Sequence, residues 1–285
     1  MSKLKLAIQK SGRLSEKSLK LLEESGIKVS NGNRKLKSEA SNFPIEVLFL
    51  RDDDIPQYVA EGVAHIGIVG QNEVFEQNLN LTEAMLLGFA KCRLSLAIPR
   101  EDKYTDLSYF QDKRVATSYP NILSNYFKEN VITAEIEKIS GSVEIAPSIG
   151  LADGICDLVS TGSTLVMNGL KEVEVVLKSE ASLIANDNLS PEKQGLLDQL
   201  LFRFKAVNEA KNNKYILLNS PRQSVEKITK ILPGMKSPTV LPLAESGWVS
   251  IHSVVREDDF WNIIDQLQNL GAEGILVSPI EKMIV

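Results

Sequence analysis

The sequence predicts an α/β protein made of two successive strand–helix series and a smaller C-terminal module. Three observations carry this. Apolar strands alternate with amphipathic helices along the first part of the chain, the grammar of a parallel sheet with helices on its faces. A second series of the same kind begins at residues 92–98. Beyond a long helix, the last segment reads strand, helix, two strands joined by a short turn, helix, strand, which is the ferredoxin-like βαββαβ order.

In the first series, residues 4–8 (LKLAI) read as a buried strand. A helix over 14–25 follows, with Leu14, Leu19, Leu21 and Leu22 apolar, Ser15 as its N-cap and Gly26 as its stop. Residues 45–50 (IEVLFL) form a strand, Arg51–Asp54 a charged turn, 55–61 the start of a helix, and 64–69 (AHIGIV) a strand ending at Gly70. In the second series, strands are expected at 92–98, 113–117, near 134–139, at 155–159, 173–177 and 181–185, with helices near 120–129 and 164–169. The helix 191–211 carries Leu196, Leu197, Leu200, Leu201, Phe204 and Val207 on one stripe. The last module places strands at 214–218, 238–243, 247–255 and 274–278, with helices at 221–232, opened by Pro221, and at 257–270, ended by Gly271.

Bulk properties narrow the function. With 43% hydrophobic and 24% charged residues over 285 positions, the chain suits two or three globular domains. The net charge of -5, with 32 Lys and Arg scattered among 37 Asp and Glu, argues against a nucleic-acid binder. No run has the length of a membrane span, and the N-terminal apolar stretch is too short for a signal peptide. Cys92 and Cys156 are far apart and outside any metal-binding pattern, so they read as free thiols in a reducing cytoplasm. Only His65 and His252 are present, which disfavours a histidine metal site or a His-based triad, and no protein metal ligands are expected.

The chemistry concentrates at strand ends. Asp157 is followed by Ser160, Thr161, Gly162, Ser163, Thr164 and Leu165, where a strand delivers an acid and then a loop rich in hydroxyls and glycine before a helix. Bared N–H groups, hydroxyl donors and a helix dipole make such a loop an anion site, with Asp157 placed for ribose hydroxyls. The plain alternative is a strand-to-helix turn with a Ser/Thr cap. Lys10, Gly12 and Arg13 follow the first strand and suit a phosphate or pyrophosphate, although a basic pair there also fits a solvated turn. Arg51 is the best-placed member of its charged turn, Gly70 with Gln71 and Asn72 borders another strand end, and Glu144 is an acid in an apolar stretch. In open α/β sheets ligands sit beyond the carboxyl ends of the strands, so these clusters are expected to converge on one cleft.

Taken together, QKSGRL at 9–14, LRDDDIP at 50–56, GIVGQN at 67–72, SGSVEIAP at 140–147, DGICDLVSTGSTLVMNGL at 153–170, PTVLPLA at 238–244 and ILVSPIEKM at 275–283 closely resemble the ATP phosphoribosyltransferase family in its long form. The resemblance runs almost end to end. It implies a two-lobed catalytic unit like a type II periplasmic binding protein, with residues 1–92 plus 184–211 as lobe I and 93–183 as lobe II. The ferredoxin-like, ACT-like module at 212–285 would be regulatory. The implied reaction transfers the 5-phosphoribosyl group of phosphoribosyl pyrophosphate (PRPP) to N1 of the ATP adenine, releasing pyrophosphate. It is the first step of histidine biosynthesis, with Mg²⁺ carried on the substrate. The loop 160–165 would hold the 5′-phosphate, and Lys10, Gly12, Arg13, Arg51 and Gly70 the ATP or pyrophosphate side. Glu144, Asp157 and Arg13 would be catalytic, and Thr239 and Ser253 would contact inhibitory histidine. The long form implies a homodimer or hexamer that needs no separate regulatory subunit. A non-catalytic regulatory relative, a small-anion binding protein of the same bilobal fold, or a phosphoribosyltransferase for another base are the competing readings.

Overall fold

A computed structural model describes residues 3–30, 36–232 and 234–284. The chain divides into two compact units, one of Met1–Glu23 with Ile27–Leu197 and one of Glu24–Gly26 with Asp198–Val285. That division falls inside the long helix, whereas the sequence reading set the boundary at its end.

The first unit holds two sheets. Its chain begins with β1 (Leu4–Gln9), α1 (Arg13–Glu24), β2 (Lys37–Glu39), β3 (Ile45–Leu50), α2 (Ile55–Ala60), β4 (Ile66–Gly70), α3 (Gln71–Gln77) and β5 (Thr82–Leu86). It continues through β6 (Cys92–Pro99), β7 (Arg114–Thr117), α4 (Pro120–Glu129), β8 (Glu135–Lys138), β9 (Gly154–Val159), α5 (Ser163–Met167), β10 (Leu170–Ser179) and β11 (Ala181–Ala185), and ends in the first turns of α6 (Pro191–Lys211), most of which belongs to the second unit.

The first sheet has the order β2-β3-β1-β4-β11-β5. Its centre is parallel because helices carry the chain back between β1, β3 and β4. Strand β1 is buried on both faces, with Leu4, Leu6, Ala7 and Ile8 fully enclosed. Strands β2 and β5 are antiparallel additions, and α3 springs directly from β4. None of these three was expected: KSE, TEAML and QNEVFEQ are short and weakly patterned. Helix α1 starts at Arg13, two residues before Ser15, which is buried inside the helix rather than capping it.

The second sheet has the order β10-β6-β9-β7-β8. Strand β6 packs both ways, with Leu94, Leu96 and Ile98 in one core and Ala97 in the other, as a period of two requires. On β9, Cys156 joins the first core, while Ile155 and Val159 join the second, together with Val143 of the turn before β9. Asp157 shares the parity of Ile155 and Val159, so it faces the side where residues 143–145 lie. The chain passes from the first sheet to the second after β5 and returns between β10 and β11.

The second unit completes the βαββαβ order with β12 (Asn213–Pro221), α7 (Val225–Ile231), β13 (Thr239–Pro242), β14 (Trp248–Arg256), α8 (Glu257–Asn269) and β15 (Glu273–Pro279). Its antiparallel sheet runs β13-β14-β12-β15. Ile216, Leu218, Val249, Ile251 and Val255 form its core with Ile228 and Leu267 of the two helices. A short 3-10 turn at Arg222–Ser224 precedes α7, so the helix begins four residues after Pro221.

Candidate active site

Register places the first half-site. Strands β1 and β3 pair from Leu4↔Ile45 to Gln9↔Leu50, and the Lys10 N–H extends the ladder to the Leu50 carbonyl at 2.7 Å. Lys10 and Arg51 are therefore adjacent residues just beyond one sheet edge. Gly12 lies in the left-handed region at φ +94°, which turns the chain so that Arg13 opens α1 with its side chain exposed. Arg51 does not reach outward alone. Its guanidinium forks onto Asp53, with Nε–Oδ1 3.0 Å and Nη2–Oδ2 2.9 Å. Both partners are solvent-exposed, so the pair is weak. Gly70 ends β4 where any Cβ would stand 2.4 Å from Asn72 Oδ1. The glycine there makes room for a polar side chain folded back over the strand end.

The second half-site is built on β9. Ser160, Thr161, Ser163 and Thr164 are exposed and Leu165 is buried as the anchor of α5. Gly162, at φ +82°, supplies the left-handed turn into α5. Thr161 Oγ1 and Ser163 Oγ lie 3.0 Å apart, so the loop presents paired hydroxyls. The half-buried Asp157 accepts from the Leu158 N–H at 2.8 Å. Burial raises its carboxyl above the ordinary range, and the negative charge of Glu144 adds to the rise. The structure thus brings Glu144, on the 3-10 turn Val143–Ile145, into electrostatic contact with Asp157.

Four polar residues unremarked or only noted in passing by the sequence reading join the two sheets. The Tyr119 hydroxyl, just before α4, donates to Glu73 Oε1 at 2.9 Å. Asn72 Nδ2 donates to the same oxygen at 2.9 Å and approaches Tyr119 Oη at 3.1 Å. Ser179, at the end of β10, holds Asn72 from both sides: the Asn72 N–H donates to its Oγ at 3.1 Å, and that hydroxyl donates to Asn72 Oδ1 at 2.9 Å. Burial pushes the Glu73 carboxyl up to about 7, with Asp52, Asp53 and Glu76 adding to the rise against the Tyr119 hydrogen bond. The Tyr119 hydroxyl is itself pushed upward, by burial first and also by Glu73 and Asp157. The only signal in the sequence was position: Asn72 and Glu73 follow β4, and Tyr119 follows β7.

Arg93 was also missed. It forks onto Glu172 across β6 and β10 and donates through Nη1 to the Ser160 carbonyl at 3.2 Å, tethering the first residue of the loop. A cavity of about 490 Å³ beside it is lined by Gln71, Arg93, Ser160, Lys178 and Ser179 among others, so the ends of β4 and β9 open on one space.

Other candidates are dispersed. His65 is a satisfied core residue: its Nδ1 accepts from the Lys5 N–H at 2.8 Å, and burial lowers it to about 4, helped by Lys193 and Lys5. Cys92 and Cys156 are free. Among the described residues no group of three or more His, Cys, Asp and Glu side chains is arranged for a metal, and no helix is long and apolar enough to cross a membrane. In the second unit, Thr239 is exposed opposite His252, while the next residue, Ser253, sits opposite Ile216 on the core side. The two candidates therefore line opposite faces of one sheet. Ser253 is 6% exposed and its Oγ has no hydrogen-bond partner among the described residues.

Comparison with known proteins agrees along the whole chain. The ATP phosphoribosyltransferase family model matches residues 51–206, and the HisG C-terminal domain model matches residues 210–282. The ATP phosphoribosyltransferase of Cytophaga hutchinsonii is 60% identical over 281 residues, covering 99% of this chain and 98% of that protein. That of Bacteroides thetaiotaomicron is 58% identical over 282 residues, covering 99% and 100%. A chain of the ATP phosphoribosyl transferase (HisG:HisZ) complex from Thermotoga maritima superposes with a TM-score of 0.62 at 29% identity, covering 71% of this chain and 96% of its own.

Proposed function

The chain belongs to the ATP phosphoribosyltransferase family and is a pentosyltransferase of histidine biosynthesis, and we propose that the strand ends of its first unit carry the transfer of the phosphoribosyl group from PRPP to N1 of the ATP adenine. The observation that carries the assignment of residues is the exposed loop that follows Asp157 at the end of β9, with its paired Thr161 and Ser163 hydroxyls and left-handed Gly162.

Adenine N1 holds a free lone pair and no proton, so its attack on C1 of the ribosyl group needs no general base. That matches a site without a histidine. The work is alignment of two polyanions and stabilisation of charge, and alignment alone contributes roughly 7–11 kcal/mol in well-oriented reactions. Loop 160–165 takes the 5′-phosphate through its hydroxyls and bared N–H groups. Asp157 takes the ribose hydroxyls. Glu144 faces the positive charge that grows on the ribose ring, and its partner Asp157 adds to the same field. Lys10, Arg13 and Arg51, with Gly12 and Gly70 leaving room for the backbone, hold pyrophosphate or nucleotide phosphate, Arg51 exchanging Asp53 for the ligand. Mg²⁺ arrives on the substrate pyrophosphate and neutralises the leaving group.

The C-terminal module takes histidine, the end product of the pathway. Thr239 and Ser253 are its proposed contacts: Thr239 stands on the exposed face of the sheet, whereas Ser253, on the core side, would meet the ligand only if that face opened. Inhibition then follows if histidine prefers one of two quaternary states. The active unit is a homodimer, the regulated assembly a hexamer, and the enzyme works in the cytoplasm. The Thermotoga complex pairs two proteins, whereas this chain carries its own C-terminal module and needs no separate regulatory subunit.

Mass spectrometry of products tests the reading. Protein, ATP, PRPP, Mg²⁺ and a pyrophosphatase should give a phosphoribosyl-ATP adduct that fades when histidine is added. No adduct from folded protein overturns the catalytic assignment. An adduct indifferent to histidine overturns the regulatory one.

A further inference from the structure

Helix α3, at the end of β4 in the first sheet, and helix α4, at the end of β7 in the second, are joined by more than packing. The Glu76 carboxylate accepts the Asn121 and Ile122 N–H groups at 3.0 Å each, capping the start of α4, and Asn121 Nδ2 donates to the Glu76 carbonyl at 2.9 Å. One turn earlier, Glu73 Oε1 takes both the Tyr119 hydroxyl and the Asn72 amide, and Asn72 is locked by Ser179 on the strand that leads back to the first sheet. This network connects the strand end that carries Gly70 to the segment that carries Tyr119, whose hydroxyl lies within the field of Asp157. We propose that Glu73 is a positioning residue for the transfer reaction, its carboxyl group holding the two substrate-binding sheet ends at the separation the reaction requires. The inference rests on the assignment of the reaction to this cleft.

The groups facing Glu73 explain what it responds to. Asp52 and Asp53 face it from the turn after β3, Glu76 from its own helix, and Tyr119 and Asn72 contact it directly. No cation stands among these, so the side chain is most at ease as a neutral acid, which still offers one oxygen to Tyr119 and Asn72. Ionisation, centred near pH 7, sets a charge against three neighbouring carboxylates, and incoming polyanions strengthen that opposition. Glutamine keeps the acceptor oxygen and cannot ionise. Alanine removes the acceptor and leaves the buried Tyr119 hydroxyl unpaired on that side.

The test is steady-state kinetics of the full-length enzyme from pH 6 to 8.5 with Glu73→Gln and Glu73→Ala. The alanine variant should lose about tenfold or more in kcat/KM for both substrates, as expected when a buried hydrogen-bond acceptor is deleted. The glutamine variant should match wild type at pH 6 and exceed it severalfold at pH 8, because only the wild-type carboxyl ionises. Alanine kinetics within twofold of wild type, or losses that only track the folded fraction, overturn the inference. So does a wild-type to Glu73→Gln ratio that is flat with pH. Wild-type enzyme that makes no adduct at all overturns the reaction assignment instead, which separates the two failures.

Discussion

The ionisation of Glu73 has a consequence for folding that is independent of catalysis. Its carboxyl is raised from the ordinary 4.5 to about 7 in the folded chain, chiefly by burial. A folded state that holds its proton more tightly than the unfolded chain gains relative stability at low pH and loses it as pH rises from about 4.5 to about 7, after which the loss is complete. At 1.36 kcal/mol per pH unit, the rise from 4.5 to about 7 makes the ionised carboxyl cost about 3 kcal/mol at pH 8. Glu73→Gln never ionises and keeps both hydrogen bonds to its Oε1. Its advantage over wild type should therefore be under about 1 kcal/mol at pH 5 and about 3 kcal/mol at pH 8, the latter roughly 6–12 °C in Tm for a unit of this size. Thermal melts followed by circular dichroism at the two pH values measure it. The difference between variants is the informative quantity, because His65 works in the opposite sense. Its imidazole, lowered to about 4, must stay neutral to accept from Lys5, so wild type and variant alike lose stability as pH falls below about 6.5. A Tm difference between the two proteins that does not change from pH 5 to 8 would refute the reasoning, since the carboxyl would then be ionised or neutral throughout.

Further outcomes follow from other parts of the structure. Thr161→Val removes one of the paired loop hydroxyls and should raise the KM for PRPP by about tenfold while leaving the KM for ATP within twofold, in line with 1–1.5 kcal/mol per hydrogen bond; equal effects on both substrates would contradict the loop assignment. Arg93→Lys keeps a charge but loses the fork to Glu172 and the hold on Ser160, so the same PRPP-selective rise is expected, and unchanged kinetics would show that the tether is ornamental. Gly70→Ala puts a Cβ at 2.4 Å from Asn72 Oδ1 and should displace Asn72 from Ser179, destabilising the fold by about 1–3 kcal/mol by chemical denaturation. Ser253→Ala deletes a buried hydroxyl that has no partner among the described residues, so stability should stay level or rise by up to about 1 kcal/mol while histidine inhibition weakens; a clear loss of stability, or intact inhibition, counts against Ser253 as a ligand contact.

Read from left to right, the chain already declares its architecture. Helices 120–129 and 191–211 and strands 45–50 and 181–185 lie where local patterning places them, because a stripe every third or fourth residue, or an unbroken apolar run, is a property of neighbouring positions. The exposed hydroxyl- and glycine-rich loop was legible for the same reason: Asp157, Gly162 and four hydroxyls sit within eight residues. Strands β2 and β5 were not legible, since each exists by pairing with a strand already in place. The interior of the site was hidden for a deeper reason. Glu73 reads as one more acid on a polar helix until Tyr119, 46 positions away, is folded against it and much of its surface is covered. Arg93 reads as a solvated cation until Glu172 and the Ser160 carbonyl converge on it from 79 and 67 positions away. Sequence by itself marked the candidate anion-binding residues and the ends of the strongly patterned strands. Only the tertiary structure decided which carboxyls lie close enough to shift one another, because burial and Coulomb interaction depend on distance through space and not along the chain.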